Sequence, residues 1–168
     1  MKSADHSRGC GKLLKVLFSF VLLILIVLGS KATAQTNIIL VGGGNQTLGI
    51  TTGAPGSQPV SVVNTTSTLQ YWRQGAKAKI TVSTSCPGQS FTLAVMATGV
   101  TYGVAAPQVT LTDGMLAVDF ITNIPKVPAT WTSTTISLRY TASATFAQGN
   151  SAEEGNDVHS VTYTLQVQ

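Results

Sequence analysis

The stretch Ile136-Ser137-Leu138-Arg139-Tyr140-Thr141-Ala142-Ser143-Ala144 decides the fold. Apolar residues stand at every second position, and Ser, Arg and Thr stand between them. A period of two places successive side chains on opposite faces of a β-strand, one face packed and one wet. The same period recurs outward from this stretch. Ala76, Ala78, Ile80 and Val82 alternate with Lys77, Lys79, Thr81 and Ser83. Phe91, Leu93, Val95 and Ala97 follow after the turn at Cys86-Pro87-Gly88. Val161, Tyr163, Leu165 and Val167 alternate with Ser160, Thr162, Thr164 and Gln166.

Other segments are shorter and bounded by turn residues. Thr36 to Val41 is apolar enough for a strand, and Gly42-Gly43-Gly44-Asn45 breaks it. Gln46 to Thr52, Val60 to Asn64 and Ser67 to Trp72 are further short strand candidates, with Gly53 to Pro59 as a link. Asp113-Gly114 is a two-residue hairpin signal, which predicts that Val109 and Leu111 pair antiparallel with Leu116, Val118 and Phe120. Asn123 to Trp131 carries two prolines and reads as a loop or edge, and Gln148 to Asp157 as an exposed loop. No segment after residue 34 shows apolar residues at helical spacing over helical length. Alternating strands, rather than continuous apolar runs, argue for antiparallel sheets with one wet face. The expectation is all-β: a single antiparallel β-sandwich, immunoglobulin-like in general shape, spanning residues 35–168.

Residues 1–34 read as a signal peptide. Lys2, Arg8, Lys12 and Lys15 precede an uncharged apolar core from Val16 to Leu28, and Ala32-Thr33-Ala34 precedes Gln35. Small residues at the positions a signal peptidase inspects put cleavage between Ala34 and Gln35. A membrane span needs about 20 apolar residues, so the core is short for an anchor. The expected localisation is therefore secreted, periplasmic or cell-surface, with membrane contact only through the leader during export.

The charge of the whole chain is +4, yet the part after the leader carries five bases against five acids. The excess of base belongs to the leader, and nothing favours nucleic acid as a partner. Near-neutrality favours self-association or another protein partner. Cys10 leaves with the leader, so Cys86 has no partner in its own chain. It reads as a small buried thiol at a strand end, with a free reactive thiol or an intermolecular disulfide as the alternative. One Cys and one His do not suggest a metal site, and no cofactor is expected.

Candidate chemistry is sparse. Asp157, His159 and Ser160 lie close in sequence, but on a strand Ser160 points away from the other two, and no G-x-S-x-G is present. Glu153, Glu154 and Asp157 lack the pattern of a Ca²⁺ loop. Asp113 and Asp119 sit in a turn and on an outer strand face rather than as a carboxylate pair. No catalytic residue is assigned. Trp72 and Trp131 are candidates for stacking on a glycan, against the alternative that they fill the core.

The run Val158-His159-Ser160-Val161-Thr162-Tyr163-Thr164-Leu165-Gln166-Val167, with the strand Ile136 to Ala144, resembles the closing strands of small secreted bacterial β-sandwiches. Pilin subunits and spore-coat-U-like proteins are of this kind. The resemblance covers the last third of the chain and rests on alternation. It implies surface assembly by strand addition, with Val161, Tyr163, Leu165 and Val167 as interaction residues. The chain departs from that pattern in having no paired cysteine and no N-terminal donor strand beyond Thr36 to Val41. The expected function is a structural or adhesive surface or extracellular protein, not an enzyme. A carbohydrate-binding module using Trp72 or Trp131 is the second expectation.

Overall fold

A computed structural model describes residues 36–41, 46–51, 56–73, 76–126 and 133–168. The leader, its cleavage point at Ala34 and Gln35, and Trp131 lie outside the described residues. The rest is the expected all-β sandwich of two antiparallel sheets.

Among the described residues ten strands follow in order: β1 (Thr36–Val41), β2 (Val62–Asn64), β3 (Thr68–Arg73), β4 (Ala78–Ser85), β5 (Thr92–Thr98), β6 (Val104–Ala105), β7 (Val109–Leu111), β8 (Val118–Ile124), β9 (Thr134–Ser143) and β10 (Ser160–Val167). One sheet runs β1-β3-β9-β5-β7, with β2 also paired to β9. The other runs β10-β4-β8-β6.

β9 is the strand whose alternation was clearest, and it is interior to its sheet. Thr134, Ile136, Leu138, Tyr140 and Ala142 are buried, while Thr135, Ser137 and Arg139 face water. Its inner residues meet Ile80, Val82 and Phe120 of the other sheet in one apolar core. Full burial of a Leu or Ile side chain contributes roughly 1.5–3 kcal/mol. A strand that buries Ile136, Leu138, Tyr140 and Ala142 on one face therefore has only one favourable register.

The structure corrects two expectations. Asp113-Gly114 does turn the chain, with the Met115 amide donating to the Thr112 carbonyl at 3.0 Å and Gly114 at a φ of 66°. It does not make a hairpin, because β7 pairs with β5 in one sheet while β8 pairs with β4 and β6 in the other. The turn carries the chain across the sandwich. Its side chains explain why: the Asp113 carboxylate accepts the Cys86 amide at 2.6 Å, and Gln89 Oε1 accepts the Asp113 amide at 2.7 Å. These bonds tie the turn to the β4–β5 connection rather than to a hairpin ladder. The expected inward phase holds at Phe120, with Asp119 outward, and fails at Leu116 and Val118. Leu116 is 87% exposed, and the buried residues of β8 are Phe120, Ile121 and Ile124. Two successive buried residues break the period of two because the β4–β8 register shifts there, a β-bulge. Asn123, at a φ of 54°, takes the left-handed conformation in that irregular stretch.

The second correction concerns Gln46 to Thr52. Residues 46–50 form no strand, and Thr51 makes only an isolated bridge to Val60. Ile50 is nevertheless core, held by Ser151, whose Oγ accepts the Ile50 amide at 2.8 Å. The loop Gln148 to Asp157 contains a one-turn helix, Ser151–Glu154, capped by Asn150, whose side chain accepts the Ala152 amide. No helix among the described residues is long and apolar enough to cross a membrane.

Candidate functional site

Three features converge on β10: a sheet edge that no described strand pairs with, a cleft between the sheets, and a Cys–Asp–His cluster at the strand entry.

The edge comes first. β10 ends its sheet and pairs along its length with β4, from Ser160↔Ser85 to Val167↔Ala78. The Gln168 amide donates to the Lys77 carbonyl at 2.8 Å, which makes that opposed pair a hydrogen-bonded one. Hydrogen-bonded and non-bonded pairs alternate along an antiparallel ladder. Ser160, Thr162, Thr164 and Gln166 therefore turn their amides and carbonyls toward β4. Val161, Tyr163, Leu165 and Val167 turn theirs outward, to the open edge. The side chains of Val161, Tyr163 and Leu165 pack half-buried against the core. All four residues thus supply outward hydrogen-bonding groups, and three of them the inner packing of β10, while Val167 is exposed.

The cleft lies beneath the same strand. It has a volume of about 540 Å³. Leu93, Tyr140 and Ala142 line it from one sheet, Val161 and Tyr163 from the other, and Asp157 and His159 stand at its polar side. The Tyr140 and Tyr163 hydroxyls lie 2.8 Å apart and tie the two sheets together across it. The Tyr163 ring also meets Phe120, with centroids 5.4 Å apart and planes at 49°. Burial and the neighbouring Tyr140 push the Tyr163 phenol far up, so it stays protonated.

The cluster follows from register. Ser85 faces Ser160, so the next positions outward, Cys86 and His159, face each other just beyond the ladder. Both continue the inward phases of their strands. Ligand atoms of Cys86, Asp157 and His159 all lie within 4.8 Å of one another. Each is held in place. The Asp157 carboxylate accepts the Ser90 amide at 3.0 and 3.1 Å and the Phe91 amide at 2.7 Å. His159 Nδ1 is 3.3 Å from Thr84 Oγ1. Cys86 starts a tight turn, with its carbonyl accepting the Gln89 amide at 3.0 Å.

Cys86 is 1% exposed and unpaired, the small buried thiol of the sequence reading. Burial, and then the charge of Asp157, push its thiol up. Burial lowers the His159 pKa, against the pull of Asp157 and Asp113. The resting pair is thus a neutral thiol beside a neutral imidazole. A cysteine nucleophile needs the opposite poise, a depressed thiol pKa and a thiolate.

The grouping was not apparent from sequence. Asp157 and His159 are neighbours there, but Cys86 joins them only once the last strand is known to pair with β4. The period of two marks both strands and says nothing about which strands adjoin.

The remaining candidates are dispersed. Asp119 pairs with Lys79 at 2.7 Å on the wet face of the sheet, and Asp113 caps the Cys86 amide, so the two carboxylates serve separate contacts. Glu153 and Glu154 are exposed, whereas Asp157 is committed to the amides of Ser90 and Phe91. Trp72 is half-buried on β3.

No family model, no curated protein and no solved structure matches this chain.

Proposed function

We propose that the protein is an exported structural or adhesive component that works by protein contacts, and that copies associate by strand addition along β10. The observation that carries this reading is the edge itself. SVTYTLQV is eight residues long, with no proline, no glycine and no charge. Soluble proteins commonly guard such an edge with lysine, proline, a bulge or a very short strand. An added strand would gain main-chain bonds from the outward groups of Val161, Tyr163, Leu165 and Val167. Near-neutrality after the leader removes long-range repulsion between copies. The neutral thiol–imidazole pair is in keeping with a non-catalytic role.

The test is light scattering behind size exclusion on the protein recovered after export, over a concentration series, with and without reductant. The expected result is association that grows with concentration. It persists in reductant, because Cys86 is buried, and it is lost in Thr164→Lys, which places a charge on the outer face of the edge. A monomer at every concentration contradicts the proposal. A glycan screen of Trp72 and Trp131 variants would then follow.

A further inference from the structure

We propose that Cys86, Asp157 and His159 form a binding site for a borderline-soft divalent transition metal, Zn²⁺ foremost. The site stands apart from the strand-addition reading and does not depend on it.

The donor set is the first argument. It offers one sulfur, one imidazole nitrogen and one carboxylate oxygen, all within 4.8 Å of one another. In tetrahedral zinc, bond lengths of about 2.0–2.3 Å place ligand atoms roughly 3.3–3.8 Å apart. Closing the cluster onto an ion therefore takes a movement of about 1 Å. Sulfur and imidazole select zinc or copper and disfavour Mg²⁺ and Ca²⁺, which take oxygen. Three protein ligands leave a fourth position for water or an incoming group.

The second argument is support behind the ligands. Metal sites hold their ligands with outer hydrogen bonds that fix orientation. Here Thr84 Oγ1 approaches the His159 ring, and the amides of Ser90 and Phe91 hold the Asp157 carboxylate. A carboxylate has about four acceptor positions, and three are used, so one remains for an ion. The Cys86 main chain is fixed on both sides, by Asp113 at its amide and Gln89 at its carbonyl.

The third argument is charge. Asp157 and Asp113 both act electrostatically on Cys86 and His159. Among the described residues, neither carboxylate makes an ion pair with Lys or Arg. A divalent cation balances the Cys86 thiolate and the Asp157 carboxylate, and the thiol proton passes to solvent on binding. The ion has a route in, because Asp157 and His159 line the open cleft.

The experiment is a titration of the full chain, kept reduced, with Co²⁺ and then Zn²⁺. The expected result is a near-ultraviolet thiolate-to-cobalt band that saturates at one equivalent. Zn²⁺ bleaches the band and raises the melting temperature. Cys86→Ser removes the band. His159→Ala, at a half-buried position that should leave the fold intact, weakens Zn²⁺ binding at least about 100-fold. Absence of both the band and the thermal shift overturns the proposal. So does a band or shift that survives in both variants, since that signal belongs to other ligands, such as His6 and Cys10 of the leader.

Discussion

The four-stranded sheet has two ends, and they are finished differently. At one end stands β6, two residues long, with Gly103 before it and Pro107 shortly after. Gly103 has a φ of 107°, and a Cβ there would lie 2.8 Å from the Thr122 carbonyl oxygen and from the Ile121 side chain. A second sheet cannot add to so short a strand. Tyr71, fully buried in the opposite sheet, holds this end by donating its hydroxyl to the Tyr102 carbonyl at 2.9 Å. At the other end stands β10, eight residues long and uncharged; β1 of the other sheet lies near it, but no described strand pairs with its outward amides. One edge of a single sheet is closed by length and backbone shape, while the strand at the other is long and carries no proline, glycine or charge. Sharing a core, the two edges differ in what they can accept, and that asymmetry is the structural basis of the proposed assembly.

The largest effect should come from the core both edges share. Phe120 is fully buried and touches Tyr163. Phe120→Ala should cost about 3–5 kcal/mol in a denaturant titration. If the loss were well under 1 kcal/mol, the edges would not rest on one core. Next comes the anchor of the β6 end. Burial pushes the Tyr71 phenol up to about 12, against an ordinary value of 10.0. A folded pKa above the unfolded one gives stability that is complete below pH 10 and is lost as pH rises through 12. The loss should reach at most about 2–3 kcal/mol and should shrink in Tyr71→Phe, read by melts at pH 8 and 11.5. Gly103→Ala comes third. Strain at that φ and the contact with Thr122 should cost about 1–3 kcal/mol and leave association at β10 unchanged. Thr164→Lys is smallest in stability, within about 0.5 kcal/mol, because the side chain is exposed on the outer face. Its effect should fall on association instead. A variant that associated as wild type does would break the comparison.

The strands legible in sequence were those with one face in the core. β4, β5, β9 and β10 declared themselves because Ile80, Leu93, Leu138 and Tyr163 recur at a period that only a half-buried strand requires. The exceptions have local physical causes. β8 keeps its alternation up to Phe120 and loses it where the bulge buries Ile121 as well, and Leu116 lies before the strand begins. Asp113-Gly114 was misread as a hairpin because a turn signal reports a reversal of the chain, not the sheet it enters. Ile50 is buried without a strand because Ser151 satisfies its amide from far along the chain. The Cys86–Asp157–His159 cluster depends on the adjacency of β4 and β10, which alternation does not encode.

The central claim is that the outward amides of β10 are open in the single chain and become paired on association. Amide hydrogen exchange, resolved to Val161, Tyr163, Leu165 and Val167 and measured at dilute and concentrated protein, tests it most directly. The account predicts fast exchange at these four when dilute and protection that rises with concentration, while Thr162 and Thr164 stay protected throughout by β4. Exchange at the four that does not change with concentration, in a protein shown to associate, would place the contact elsewhere and contradict the account.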